Sequence, residues 1–90
     1  MTPARIAKKK ILVVYDDRSL RHMLCRILQG AGFEALGVGD GAEALDLLSL
    51  GETDLMLLDV GLPGKSGLEV LAELRGRKSA PRVVIMTSDE

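Results

Sequence analysis

The chain has little of several residue types that mark particular classes of protein. It contains one cysteine, so it cannot form an intrachain disulfide, and nothing in the sequence indicates an oxidising compartment. Its two aromatic residues, Tyr15 and Phe33, are too few for a surface that stacks nucleic-acid bases. The net charge of −1 lacks the basic excess that binding to phosphate backbones usually requires. No apolar run approaches the roughly 20 residues of a membrane span. These scarcities argue against a disulfide-rich secreted protein, a nucleic-acid-binding protein and a membrane protein.

The length and composition are typical of one globular domain. The chain has 90 residues, of which 47% are hydrophobic and 28% are charged, and domains usually contain about 50 to 250 residues. Residues 1–9 are predicted to form a basic N-terminal tail, because the apolar stretch that follows them is too short for a signal peptide. We therefore expect a cytoplasmic domain that begins at residue 10.

Short β-branched or apolar runs alternate with stretches of helical periodicity along the chain. The runs predict four strands at 11–15, 33–38, 54–58 and 83–86. Helices are expected at about 18–31, after Asp40 and from Ser66, and the first carries an apolar stripe of Leu20, Met23, Leu24, Ile27 and Leu28. This β-α-β-α-β-α-β order predicts the α/β class, with a parallel sheet and helices on both faces.

Polar side chains follow the strands where a parallel sheet binds its ligands, at the carboxyl ends. Asp16 and Asp17 follow the first strand, Asp59 ends the third, and Thr87 follows the fourth. If the first and third strands are neighbours, Asp16 and Asp59 lie close together and suit Mg²⁺, which binds one or two carboxylates. A carboxylate beside such a metal can act as a nucleophile toward phosphorus. For Asp17 and Asp40, a helix-capping role is the favoured interpretation.

Four segments of the sequence resemble the receiver domain of bacterial two-component response regulators, the CheY-like family. Ile11 to Asp17 is similar to the first strand and acidic cluster of that family, and Leu57 to Gly67 to its phosphoacceptor segment, including Leu-Pro-Gly. Asp40 to Leu45 resembles the start of the second helix, and Pro81 to Ser88 resembles the fourth strand with its switch hydroxyl. The resemblance extends from Lys10 onward.

The resemblance implies a doubly wound, flavodoxin-like parallel sheet with four strands in the order 2-1-3-4 and three helices. It implies a signalling domain of a phosphorelay rather than an enzyme acting on a separate substrate. Asp59 would accept a phosphoryl group from a histidine kinase or phosphotransfer protein. Asp16, Asp59 and the Gly61 carbonyl would bind Mg²⁺, Thr87 would contact the phosphoryl group, and Asp17 would be an accessory of the acidic pocket.

The sequence departs from the pattern of the family in two respects. Tyr15 stands where family members usually carry an acidic residue, so weaker Mg²⁺ binding is expected. Residues 10–90 also end just after the fourth strand, which implies a receiver without its last α-β-α portion and without the lysine that usually pairs with the phosphoryl group. An uncovered fourth strand predicts a homodimer or a strand-exchanged assembly through that edge.

Two alternative functions stay open on the sequence alone. Tyr15 and the missing lysine are compatible with a degenerate receiver that acts as a phosphate-independent interaction module. Gly37 to Ala42 also fits the G-x-G-x-x-A fingerprint of a dinucleotide-binding unit, with Asp59 as the ribose-binding acid. A whole βα unit precedes that fingerprint, and Asp40 would face the pyrophosphate, so we regard this alternative as remote.

Overall fold

A computed structural model describes residues 8–77 and 80–86 of the chain. Strands and helices alternate within these residues. The four strands are β1 (Lys10–Val14), β2 (Glu34–Val38), β3 (Leu55–Asp59) and β4 (Arg82–Met86). The three helices are α1 (Arg18–Gly30), α2 (Gly41–Leu48) and α3 (Gly67–Leu74). The predicted elements are therefore all confirmed, with bounds shifted by one or a few residues.

The four strands form one parallel sheet in the order β2-β1-β3-β4. In its register, Val14 lies opposite Val38 on one side and opposite Leu58 on the other. Asp59 lies opposite Met86. The predicted strand order is confirmed, and the carboxyl ends of all four strands meet at one edge of the sheet.

Each helix begins at a residue whose side chain accepts a backbone N–H of the first turn. Asp17 caps α1 and Asp40 caps α2, through bonds of 3.0 Å from the Leu20 N–H and 2.8 Å from the Glu43 N–H. Ser66 caps α3 in a reciprocal capping box with Glu69. The capping interpretation of Asp17 and Asp40 is therefore confirmed, and these caps fix how the chain leaves the sheet edge.

The main hydrophobic core lies between the sheet and helices α2 and α3. It comprises Leu12, Val14, Val38, Ala44, Leu45, Leu48, Met56, Leu58, Leu62, Val70 and Leu74. Met56 and Leu58 are fully buried, and burying a side chain of this size stabilises a fold by about 1.5–3 kcal/mol. Because side chains alternate along a strand, Ile11 and Val13 are buried on the opposite face of the sheet.

Helix α1 covers that opposite face less completely than its apolar stripe predicts. No residue of α1 is fully buried. Leu24 and Leu28 are half-buried, whereas Met23 and Ile27 are 50% and 59% exposed. The stripe was predicted from helical periodicity alone, and only the part of it that faces β1 and β2 is covered. The interpretation of Met23 as a core residue is therefore wrong. None of the helices within 8–77 and 80–86 is long and apolar enough to cross a membrane.

Candidate functional site

The carboxyl ends of β1, β3 and β4 bring the predicted site residues into one region. Val14 pairs with Leu58, so Tyr15 and Asp16 leave β1 beside Asp59 at the end of β3. Met86 lies on the other side of Asp59 and ends β4. Thr87, the predicted switch hydroxyl, lies outside the described residues, directly after Met86.

Asp59 is half-buried, and its carboxylate is held by the turn that follows β3. The Gly61 N–H donates a hydrogen bond of 3.1 Å to its Oδ1. The Val60 N–H donates to the Met86 carbonyl at 3.2 Å, and the Val60 carbonyl accepts from the Gly67 N–H at 3.2 Å. The turn is thus tied to both β4 and α3, and Asp59 is presented on a fixed backbone.

The start of α3 approaches Asp59 so closely that only glycine fits at position 67. A Cβ on Gly67 would lie 2.4 Å from the Asp59 carbonyl oxygen and 2.9 Å from the Val60 Cα. Both are backbone atoms, so they cannot move aside as a flexible side chain can. Gly67 therefore sets how near the helix lies to the aspartate.

The two aspartates after β1 have different surroundings. One oxygen of the Asp17 carboxylate accepts the Leu20 N–H, which makes this residue a helix cap. The Asp16 side chain is exposed, and within residues 8–77 and 80–86 no hydrogen bond to its carboxylate occurs. Of the pair, Asp16 is the one with a carboxylate available for a ligand.

Tyr15 is half-buried at the same edge of the sheet. Its hydroxyl donates a hydrogen bond of 3.5 Å to the sulfur of Met86. Burial raises the pKa of the Tyr15 phenol above its ordinary value, and the negative charge of Asp59 raises it further. The phenol is therefore neutral at pH 7, and the region carries one formal charge fewer than an acidic residue would give it.

The donor atoms in this region fit Mg²⁺. Asp16 and Asp59 provide carboxylate oxygens and Gly61 provides a backbone carbonyl, and hard oxygen ligands are those that Mg²⁺ prefers. No group of three His, Cys, Asp or Glu side chains suited to a metal occurs in the described part of the chain. Mg²⁺ keeps several waters and needs only one or two carboxylates, so the chemistry of these donors is compatible with it.

Lys65 lies in the loop after Asp59 but is engaged elsewhere. Its ammonium group forms an ion pair with Glu73 of α3. The hydrogen bond to Glu73 raises the pKa of Lys65, with smaller contributions from the charges of Glu73 and Glu69. Lys65 thus links the loop to α3 through an exposed ion pair.

The glycine-rich segment after β1 and α1 is not arranged as a dinucleotide site. Gly37 lies within β2, where a Cβ would be 2.6 Å from Cγ of Arg21. The Asp40 carboxylate occupies the amino end of α2 by accepting the Glu43 N–H. The aliphatic part of the Arg21 side chain thus lies against Gly37 and a carboxylate lies at the amino end of α2, and neither favours an anionic pyrophosphate there.

Arg21 contacts the loop after β1 at the carboxyl edge of the sheet, and the sequence alone did not identify this contact. Its Nη1 donates to the carbonyl oxygen of Tyr15 at 2.8 Å and lies 3.4 Å from that of Asp16. The signal in the sequence was the pair Gly37 and Gly39, which leaves room for a long side chain over β2. Without the register of β1 and β2, that pair was open to the dinucleotide interpretation.

Comparison with known proteins identifies the family. The profile of the response regulator receiver domain matches residues 11–90. The DNA-binding response regulator MtrA of Mycobacterium tuberculosis (strain ATCC 25618 / H37Rv) is 42% identical over 78 residues, which are 87% of this chain and 34% of MtrA. The chain thus spans about a third of the length of this curated relative.

Solved structures agree with this match. Response regulator protein TrrA of Thermotoga maritima in complex with Mg²⁺-BeF is 39% identical, with a TM-score of 0.83 over 91% of this chain and 71% of TrrA. TrrA in complex with the histidine kinase ThkA gives a TM-score of 0.82 at 39% identity, with the same coverage of both chains. With the sheet order and the strand-end aspartates, these matches show that the chain belongs to the response regulator receiver domain family.

Proposed function

We propose that this receiver domain accepts a phosphoryl group on Asp59 in a phosphorelay. The observation that carries the proposal is the place of Asp59, which is half-buried at the end of β3 with its carboxylate Oδ1 accepting a hydrogen bond from the Gly61 N–H. The free oxygen attacks phosphorus, and the bond between phosphorus and the donor's histidine nitrogen breaks. The nitrogen keeps the electron pair and takes up a proton, while Asp59 becomes a mixed anhydride.

Asp16, Asp59 and the Gly61 carbonyl are the proposed Mg²⁺ ligands. When bound, the ion neutralises charge on the phosphoryl oxygens and on the two carboxylates. The TrrA complex with Mg²⁺-BeF supports Mg²⁺ as the ion of this family of domains. Asp17 is proposed only as an accessory, because its carboxylate already caps α1.

Thr87 is proposed to contact the phosphoryl group through its hydroxyl. Met86, the residue before it, accepts the Val60 N–H, so β4 is attached to the turn that follows Asp59. A change at Asp59 would therefore reach β4 through the backbone as well as through Thr87.

The proposed phosphoryl donor is a histidine kinase or a phosphotransfer protein. The complex of TrrA with the histidine kinase ThkA supports a kinase partner. We propose no separate substrate, so the chemistry is limited to phosphorylation and dephosphorylation of the chain itself. A cytoplasmic location and the absence of nucleic-acid binding by this chain stay predictions.

Self-association through β4 is a second part of the proposal. Within the described sheet β4 pairs with β3 on one side and forms an edge on the other. Val84 and Ile85 are 46% and 40% exposed, and edge strands with apolar side chains readily pair with another chain. A homodimer or strand-exchanged assembly through β4 would cover these side chains.

Labelling by a small phosphodonor tests the assignment of Asp59. The full chain with Mg²⁺ and acetyl phosphate should acquire an acid-labile, hydroxylamine-sensitive phosphate. Asp59→Asn should abolish the label, because the amide keeps the shape but is not a nucleophile. Asp46→Asn is the matched control, since Asp46 is an exposed aspartate on α2.

Two results of this experiment would contradict the proposal. A label that persists in Asp59→Asn would place the phosphate on another residue. A wild-type chain that takes no label and binds neither Mg²⁺ nor beryllofluoride would favour the phosphate-independent module. Tyr15, which adds no charge to the site at pH 7, is the feature that makes this alternative worth the test.

A further inference from the structure

The Arg21 side chain reaches from α1 across β2 to the loop between β1 and α1. At its tip, Nη1 donates a hydrogen bond of 2.8 Å to the Tyr15 carbonyl. The same nitrogen lies 3.4 Å from the Asp16 carbonyl, a longer and weaker contact. Both ion pairs within the described residues lie elsewhere, at Lys10–Glu52 and Lys65–Glu73. Arg21 is therefore directed at backbone carbonyls of the loop that carries Asp16.

Two glycines make room for this side chain, Gly37 within β2 and Gly39 directly after it. A Cβ on Gly37 would lie 2.6 Å from Cγ of Arg21 and 3.0 Å from its Cδ. A Cβ on Gly39 would lie 3.0 Å from Nη1. The aliphatic part of Arg21 thus lies over Gly37, and its guanidinium lies over Gly39. Because neither glycine has a side chain, the half-buried Arg21 side chain fits between α1 and β2, and this fixes the guanidinium.

The loop is anchored on both sides of Asp16. The Tyr15 N–H donates to the Val38 carbonyl at 3.2 Å, and the Asp17 carboxylate caps α1. Between these anchors, Nη1 of Arg21 donates the long hydrogen bond of 3.4 Å to the Asp16 carbonyl. The direction of the Asp16 carboxylate depends on its backbone, so Arg21 acts on it through that backbone.

We propose that Arg21 is a positioning residue that holds Asp16 where it can bind Mg²⁺. The effect on Mg²⁺ binding rests on the proposed function, whereas the contact between Arg21 and the loop does not. The charge of Arg21 works against Mg²⁺, because two cations repel each other. Any contribution of Arg21 to Mg²⁺ binding must therefore come from its effect on the position of Asp16. Loss of the Arg21 charge would strengthen Mg²⁺ binding, whereas loss of its hydrogen bonds would weaken Mg²⁺ binding.

Arg21→Met tests the proposal in the full chain, with Mg²⁺ alone as the probe. Methionine keeps an apolar stem over Gly37 but has no N–H to donate. Hydrogen exchange should become faster at the amides of residues 15–17, and the Mg²⁺ dissociation constant from calorimetry should rise about tenfold, as for outer-shell partners of metal ligands. Arg18→Met is the control, because Arg18 begins the same helix and its loss removes the same charge. It should leave exchange unchanged and Mg²⁺ binding unchanged or slightly tighter.

Gly37→Ala provides a second variant that keeps the charge. The added Cβ should displace the Arg21 stem and give the same loosened loop and weaker Mg²⁺ binding. Gly76→Ala is its control, since a Cβ there meets nothing within 4 Å. Urea unfolding of all four variants separates a local effect from a general loss of stability.

The outcomes separate this inference from the proposed function. Unchanged exchange at residues 15–17 in Arg21→Met, or Mg²⁺ binding as tight as in the wild type, would overturn the positioning role. A wild-type chain that does not bind Mg²⁺, combined with a loop loosened in Arg21→Met, would support the contact and contradict the Mg²⁺ site instead.

Discussion

The Tyr15 hydroxyl donates a hydrogen bond of 3.5 Å to the sulfur of Met86, which joins the end of β1 to the end of β4. Asp59 ends the strand between them, and its charge contributes to the raised pKa of the phenol. A thioether is a weak acceptor, so this bond is easily exchanged for another. Tyr15 is therefore placed to respond to any change of charge at Asp59.

Replacing Tyr15 with aspartate should tighten Mg²⁺ binding. The substitution adds a carboxylate beside Asp59, and a nearby charge at a partly exposed site contributes from a few tenths to about 1 kcal/mol. Calorimetric titration with Mg²⁺ should show a dissociation constant lower by up to about fivefold. Tyr15→Phe is the control, because it removes the bond to Met86 without adding charge. Unchanged or weaker binding in Tyr15→Asp would count against the assigned ligands.

Removing the charge of Asp59 should lower the pKa of Tyr15. Burial is the larger cause of the raised pKa and will persist in Asp59→Asn, but the contribution from Asp59 will be lost. The chain has one tyrosine and no tryptophan, so an alkaline absorbance titration reports Tyr15 alone. Asp46→Asn should leave the titration unchanged. A Tyr15 pKa that is the same in Asp59→Asn would mean that the two side chains do not interact.

The raised pKa of Tyr15 also predicts how stability changes at alkaline pH. The phenol ionises at lower pH in the unfolded chain than in the folded chain, where burial disfavours the charged form. Its contribution to stability is complete below about pH 10, the ordinary pKa of tyrosine, and is lost as pH rises through the folded pKa. Urea unfolding of Tyr15→Phe should show a smaller loss of stability over that range. An equal loss in both proteins would exclude Tyr15 as the cause.

Gly67→Ala should destabilise the fold and disturb Asp59. The added Cβ would lie 2.4 Å from the Asp59 carbonyl oxygen, so the backbone of the turn or of α3 must shift. Overpacking of this kind typically lowers the free energy of unfolding by about 1–3 kcal/mol. Urea denaturation should give a lower midpoint for Gly67→Ala than for Gly76→Ala, whose Cβ has open space. Equal midpoints would show that α3 adjusts without strain.

The 90-residue chain should self-associate through β4 at micromolar concentration. Val84→Lys places a charge on this exposed edge strand and should shift the chain toward monomer in sedimentation velocity across a dilution series. Leu36→Lys is the matched control, because Leu36 is 55% exposed on β2, the opposite edge of the sheet. A compact wild-type monomer that unfolds cooperatively would contradict this interface.

Much of the fold could be predicted because its signals are local. The β-branched run at Ile11 and the caps Asp17, Asp40 and Ser66 each depend on residues close in sequence, so the element order followed from the pattern alone. The resemblance then supplied the strand order and the roles of Asp16 and Asp59. Exposure of α1 was predicted less well, because periodicity identifies an apolar stripe but not how much of it the sheet covers.

The sequence by itself determined that strands alternate with helices and that carboxylates follow the first and third strands. Tertiary structure decided which side chains reach across those strands. Tyr15 contacts Met86, 71 positions away, only because β1 and β4 lie on either side of β3 in one register. Arg21 lies over Gly37 and Gly39 only because β2 pairs beside β1. Such contacts depend on strand register and on the space that neighbouring strands leave, and neither quantity is encoded in any short segment of the chain.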